Sequence, residues 1–227
     1  MTPKDTILIF SASRTGSTVV WQCARELFTN VLKIHAKEMG EEYTNSTFPC
    51  IITERDKVDS FLSWCRVSQF DSIPHFLTGF DEKVTHLRKN APEVLEFTID
   101  NYKWELECVE YAKTNYKGDM LFLEYEKLFC NHNYIFDKFE EFFGVKIEKN
   151  KRQEIEKKTS IDFNKNIQNK LKDFHETDQD SGIHGDHIFS GEPGYAKKIL
   201  SEDNFLYLTE TFKDIWTKQE ESITTCK

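Results

Sequence analysis

In the first third of the chain, short apolar runs alternate with segments of helical period. Ile7-Leu8-Ile9-Phe10 is a continuous apolar run, Val20, Cys23, Ala24 and Leu27 then recur at helical spacing, and Val31 to His35 forms a second strand-like stretch. Cys50-Ile51-Ile52-Thr53 predicts a third strand, and Val58, Phe61, Leu62 and Cys65 predict the helix after it. Strands that alternate with helices in this way build a parallel sheet covered on both faces, an α/β fold that binds ligands beyond the carboxyl ends of its strands.

Farther along, Leu95, Ile99, Tyr102, Leu106 and Val109 follow Pro92 at three- and four-residue steps, which predicts a long helix with Pro in its first turn. Met120 to Leu123 reads as another strand. Ile135, Phe139 and Phe142 give the apolar face of a short helix that Gly144 can end in a left-handed conformation. Charges dominate from Glu148 to Lys158, a solvated helix face, and Phe205, Leu208, Phe212 and Ile215 mark a last amphipathic helix. Asp173 to Gly194 is polar, rich in Gly, Asp and His, and without a period. The expected organisation is a single domain over 1–227, with a helical insertion at about 80–117 and a mobile loop at about 173–194.

Composition narrows the partners more than the chemistry. A formal charge of -9 without any long Lys/Arg block argues against general nucleic-acid binding, yet leaves room for one small anion held by a local cluster of donors. The six cysteines have neither CxxC nor metal-finger spacing, so reduced thiols and a cytoplasmic setting are expected. No apolar run approaches membrane-spanning length, and the first one is too short for a signal-peptide core. His184-Gly185-Asp186-His187 offers two histidines without a third ligand, so no metal is expected.

The candidate chemistry begins after the first strand. Ser11-Ala12-Ser13-Arg14-Thr15-Gly16-Ser17-Thr18 leads from a strand into a helix, where unpaired backbone N–H groups, a permissive Gly16, hydroxyls and Arg14 can gather around an anion. A nucleoside-triphosphate loop would open with Gly where Ser11 stands and carry Lys where Ser17 stands, so the main charge clamp of phosphotransferases is missing. The loop instead resembles the 5′-phosphosulfate loop of sulfotransferases, which use 3′-phosphoadenosine 5′-phosphosulfate as donor. The matching residues are Arg14, Thr15, Gly16, Ser17 and Thr18, with Arg at the basic position as in bacterial and protein-tyrosine branches. The resemblance implies a three-layer sandwich with a central, mainly parallel sheet flanked by helices, in a compact member of bacterial or viral type.

Three further segments carry the same resemblance. Arg55, at the end of the third strand, and Ser63, eight residues on, match the pair that binds the donor's 3′-phosphate in the family, a contact suited to a guanidinium fork. Their plain alternative is an Arg55 paired with Glu54 or Asp56 and a Ser63 that fills a helix face. Phe122-Leu123-Glu124-Tyr125-Glu126-Lys127-Leu128 resembles the family segment whose Tyr, here Tyr125, lies against the adenine. Ser190-Gly191-Glu192-Pro193-Gly194-Tyr195 resembles the late loop over the 3′-phosphate, with Gly191 and Gly194 in place. The basic residues that precede that loop in many relatives are absent here, which leaves Lys197 or Lys198 as substitutes.

Sulfuryl transfer needs a base for the acceptor hydroxyl, in-line alignment and stabilisation of the leaving oxygen. Lys33-Ile34-His35 resembles the family's Lys-x-His, whose His is the base, and an imidazole pKa of ~6.5 suits that task. Glu38 is the alternative base, since the branch with Arg at the loop often uses Glu. Arg14 and Lys33 would steady the leaving phosphate, and Thr15, Ser17 and Thr18 would hold its oxygens. The resemblance thus implies transfer from 3′-phosphoadenosine 5′-phosphosulfate to an acceptor hydroxyl or amine, leaving 3′-phosphoadenosine 5′-phosphate, with no metal. The acceptor is a small molecule, carbohydrate or peptide, and its pocket would come from Phe70 to Asp81 and Phe174 to Phe189. Two other readings remain open at this point, a phosphotransferase of the wider P-loop class and a non-catalytic nucleotide-binding module on the same fold.

Overall fold

The central strand of the sheet is the first one in the chain. A computed structural model describes residues 6–35, 41–67, 79–173, 175–185, 188, 191–213 and 215. Four parallel strands, β1 (Ile7–Ser11), β2 (Val31–His35), β3 (Cys50–Glu54) and β4 (Met120–Glu124), lie in the order β2-β1-β3-β4. All five residues of β1 are buried, because helices cover both faces of an inner strand, and its continuous apolar sequence meets that demand. The outer strand β4 alternates instead, burying Leu121 and Leu123 while Phe122 stays 42% exposed.

Odd and even residues of β1 feed different layers. Ile7 and Ile9 pack with Ile51, Leu121 and Leu123 against α1 (Ser17–Arg25), α7 (His132–Phe143) and α8 (Lys149–Thr159). Leu8 and Phe10 pack with Ile34 and Ile52 against Val109, Ala112 and Tyr116 at the end of α5 (Pro92–Asn115). A third cluster holds α3 (Lys57–Val67), α4 (Phe80–Asn90), α10 (Tyr195–Ile199) and α11 (Glu202–Lys213) together around Phe61, Tyr102 and Phe212. Phe61 lies 5.7 Å from Tyr102 and 5.1 Å from Phe212 between ring centroids, the tilted aromatic packing that favours edge-to-face contact. Short helices α2 (Glu41–Thr44) and α6 (Tyr125–Leu128) complete the connections around the sheet.

Local sequence accounts for these boundaries. Pro92 opens α5, whose buried Leu95, Ile99, Tyr102 and Val109 are the residues expected from the helical period. Gly144 ends α7 at φ 63°, the left-handed stop read from the sequence. The charged stretch after it is α8, with Ile155 buried beneath the charges. Helices α4 and α5 occupy the range read as a helical insertion.

The short α2, and a helix and a hairpin after α8, had no counterpart in the sequence reading. Helix α9 (Ile161–Gln168) follows α8, and the polar stretch after it contains a hairpin of β5 (Thr177–Asp178) and β6 (Ile183–His184). Two-residue strands offer no alternation to detect. The hairpin docks on α1: Gln22 Nε2 donates to Ser181 O at 2.7 Å and to Asn164 Oδ1 at 3.1 Å, and Asn164 Nδ2 donates back at 3.0 Å. Arg25, stacked 4.5 Å over the Trp21 ring, donates to Asp180 O. No helix among the described residues is long and apolar enough to cross a membrane.

Replacement of Gln22 by Ala removes the donor to the buried Asn164 Oδ1 and to the Ser181 carbonyl, so the Gln22→Ala protein is expected to lose about 1–3 kcal/mol of stability in urea unfolding. Proteolysis within 175–185 is expected to speed up in the same variant.

Candidate functional site

Parallel register brings the carboxyl ends of the strands into one row. Ser11 lies beside His35 across the β1–β2 pair, and Glu54 beside Glu124 across the β3–β4 pair. The residues that follow open onto a cleft of about 1120 Å³ at the point where the chain leaves β1 for opposite sides of the sheet. Ser13 to Thr18 enter it from β1, apart from Thr15, Lys33 and His35 from β2, Arg55 from β3 and Tyr125 from β4.

The loop after β1 has two left-handed residues, Arg14 at φ 71° and Gly16 at φ 86°. Successive N–H groups in such a turn form a concavity for anions, and the N-terminus of α1 adds its own unpaired donors. A side chain at Gly16 is excluded twice over: its Cβ would lie 2.8 Å from Tyr125 Cδ2, and the backbone angle disfavours it. Hydrogen bonds pin the loop from below. Thr15, 3% exposed, donates its hydroxyl to Ala12 O at 2.9 Å and lies 2.7 Å from Thr53 Oγ1, so this hydroxyl points into the fold rather than the cleft. Ser13 N donates to Glu105 Oε2 at 2.9 Å, and Glu105 Oε1 accepts from Trp64 Nε1 at 3.1 Å.

Four cations converge on the cleft. Arg14 Nε donates to Ser63 Oγ at 3.0 Å, and Lys33 Nζ donates to Thr18 Oγ1 at 2.7 Å. Arg55, with 5% of its side chain exposed, donates from Nη1 to Arg14 O at 3.2 Å and lies 4.2 Å over the Tyr125 ring. Its carboxylate partner is Asp59 at 3.9 Å, not Glu54, which pairs with Lys113, nor Asp56, which accepts from Asp59 N. Arg66, one turn beyond Ser63 on α3, is the fourth.

Burial and mutual repulsion both act on these cations. Burial, then repulsion by Arg66 and Arg55, pushes the Arg14 guanidinium down to about 9, which still leaves it charged at neutral pH. Burial, then repulsion by Arg14, pushes Lys33 down to about 8. Arg55 Nε is buried and has no hydrogen-bond partner among the described residues. A buried donor without an acceptor is costly, and an anion would satisfy it.

Other expected residues fall in different places. Lys33 and His35 share one face of β2 because side chains alternate along a strand, and both line the cleft. Gly191 lines it, and its carbonyl accepts from Tyr125 Oη at 2.6 Å. Gly194 caps α10 at φ 74° without lining the cleft. Lys197 and Lys198 are exposed on α10 outside the lining, and Lys198 pairs with Glu192. Glu38, most of Phe70 to Asp81 and His187 lie outside the described residues. His184 Nδ1 lies 2.8 Å from Thr177 Oγ1 within the hairpin.

Sequence reasoning missed Arg66 and the wall formed by Thr159, Ser160 and Ile161. Arg66 was legible as the residue three positions after Ser63, hence on the same helix face. Thr159, Ser160 and Ile161 join two helices that the charged composition of the region had hidden, and the Thr159 hydroxyl pairs with His132 Nε2 at 2.8 Å.

The chain has the sulfotransferase α/β fold. Mouse sulfotransferase SULT7A1, solved in complex with PAP (3′-phosphoadenosine 5′-phosphate), superposes with a TM-score of 0.59 at 11% identity, over 94% of this chain and 84% of that one. Retinol dehydratase, in complex with androsterone and the inactive cofactor PAP, superposes with a TM-score of 0.57 at 14% identity, over 96% of this chain and 82% of that one. No protein-family model and no curated protein sequence matches this chain.

An anion bound beside Lys33 favours its charged form, so binding takes up a proton wherever free Lys33 is partly deprotonated. With PAP as probe, calorimetry in buffers of different ionisation enthalpy is expected to show little proton uptake at about pH 6.5, rising uptake and falling affinity through about pH 8, and no such uptake in Lys33→Met.

Proposed function

We propose that this chain is a sulfotransferase that takes its sulfuryl group from 3′-phosphoadenosine 5′-phosphosulfate and passes it to an acceptor hydroxyl or amine. The observation that carries the proposal is the grouping of cations at the carboxyl side of three strands, with one pair at β1 and β2 and a further cation at β3. Arg14 and Lys33 stand at the loop after β1 and the end of β2, while Arg55, with its unpartnered Nε, stands after β3. A donor with phosphate groups at both its 3′ and 5′ positions needs two such grips, and a plain adenylate needs one. Likeness to two PAP-bound structures supports the same donor.

The bound donor supplies an activated sulfur with a phosphate as leaving group. The acceptor oxygen attacks that sulfur in line, the bond from sulfur to the bridging phosphate oxygen breaks, and the acceptor's proton passes to a base. His35 suits that role because it lines the cleft two residues beyond Lys33 on the same strand face; Glu38 is the alternative. Arg14 and Lys33 stabilise the charge that grows on the leaving oxygen, in a setting that excludes much of the water that would screen it. The N–H groups of residues 15–18 and the hydroxyls of Ser17 and Thr18 hold the phosphate oxygens. Arg66 takes the place of the basic late-loop contact, since Lys197 and Lys198 lie outside the cleft lining. No step requires a metal. The androsterone held by retinol dehydratase supports a small-molecule acceptor.

The test compares PAP with 5′-AMP as ligands. The intact protein is expected to prefer PAP by tenfold or more, and Arg55→Ala to lose most of that preference, consistent with about 1.5–3 kcal/mol for a charge-assisted hydrogen bond. Equal affinity for the two nucleotides in the intact protein overturns the donor assignment, and tighter binding of ATP than of either favours a phosphotransferase. With an acceptor in hand, His35→Ala is expected to slow turnover by about 10²–10⁴-fold while Glu38→Ala remains near normal. The reverse result makes Glu38 the base.

A further inference from the structure

Behind the cation cluster stands a buried carboxylate that takes no part in the transfer chemistry. Asp59 follows Arg55 by four residues and is 2% exposed. Its Oδ2 accepts from Gly194 N at 2.6 Å and its Oδ1 from Ala196 N at 2.7 Å, while Arg55 Nη2 lies 3.9 Å from Oδ2. Tyr125 acts from the other side, donating from Oη to Gly191 O at 2.6 Å while its ring carries the Arg55 guanidinium. The late loop is therefore fastened at both ends by the two side chains that also hold Arg55.

We infer that Asp59 is a positioning residue, which ties the late loop at Gly194 and Ala196 to the guanidinium of Arg55, so that docking of the loop and recognition of a 3′-phosphate are one event. This inference rests on the donor reading proposed above. Arg55 is planar and rigid at its end, so the plane of the Tyr125 ring and the Asp59 carboxylate fix which of its N–H groups remain for a ligand. Among the described residues, the buried Nε has no hydrogen-bond partner. Loss of the loop from Asp59 frees the guanidinium to turn, and loss of the guanidinium leaves the carboxylate buried with two backbone donors alone.

A competing effect makes the inference sharply testable. Asp59 is also a negative charge close to where a phosphate would bind, so as a mere counter-charge it would weaken phosphate binding, and its removal would tighten it. A positioning role has the opposite sign. In Asp59→Asn, the affinity for PAP is expected to fall at least tenfold while that for 5′-AMP changes less than threefold, and hydrogen exchange at the Gly194 and Ala196 amides is expected to accelerate. Tyr125→Phe keeps the ring and removes only the hydroxyl, so it tests the same coupling if the Asp59 variant fails to fold. It is expected to lower the PAP-to-AMP ratio several-fold and to accelerate exchange over 191–196. An unchanged ratio, or tighter PAP binding, in the folded variant overturns the inference. If the intact protein itself does not prefer PAP, the donor reading fails instead, a result that the intact protein alone reveals.

Discussion

A guanidinium buried against an aromatic ring holds this site together. Arg55 is almost wholly removed from water, and a charge so placed is tolerated only when its surroundings answer it. The face of Tyr125, the carbonyl of Arg14 and the carboxylate of Asp59 answer it from three directions. Arg14 lies in the loop after β1, Tyr125 opens α6, and Asp59 on α3 holds the late loop before α10, so the arginine links the placement of these three segments. The sheet brings these segments to one edge, and Arg55 fixes how they meet there.

The acidic character of the whole chain and the cationic character of the cleft are compatible because they act over different distances. Exposed charges farther apart than about 10 Å are largely screened at 0.1 M salt, whereas partly buried groups in a cleft feel one another strongly. Acidic side chains on the outer helices sit in exposed pairs, such as Glu154 with Lys158 or Glu141 with Lys138. The two carboxylates buried in the cleft wall, Glu105 and Asp59, accept from backbone N–H groups of the ligand-facing loops. They act as fasteners for those loops, beside the cations Arg14, Lys33, Arg55 and Arg66 of the same cleft.

How much of this was legible in the sequence differs by residue. The four strands and the long helix were plain, because burial on both faces leaves a continuous apolar run and burial on one leaves a period, and both survive in a single sequence. The loop around Gly16 and the spacing from Arg55 to Ser63 were visible for the same reason: one backbone demand and one helical interval. Their partners were not. Ser63 accepts from Arg14 rather than standing beside Arg55 alone, and Arg55 takes Asp59, four residues on, in place of its immediate neighbours, since the start of α3 decides which carboxylate can reach. The Thr15 hydroxyl, read as a ligand for phosphate, turns inward to Thr53, a choice set by a strand 38 residues away. The hairpin at 177–184 was invisible because its order comes from the polar network with Gln22 and Asn164, and such long-range pairing of amides leaves no local pattern.

The contact between Gly16 and Tyr125 also bears on how such a site can change over generations. The glycine has no room for a side chain because the ring occupies it, and the ring stays in place because it carries the arginine and the late loop. Neither position can drift alone: a side chain at 16 meets both the ring and an unfavourable backbone angle, and a smaller residue at 125 loosens Arg55 and the late loop together. The pair should therefore vary as a unit or not at all.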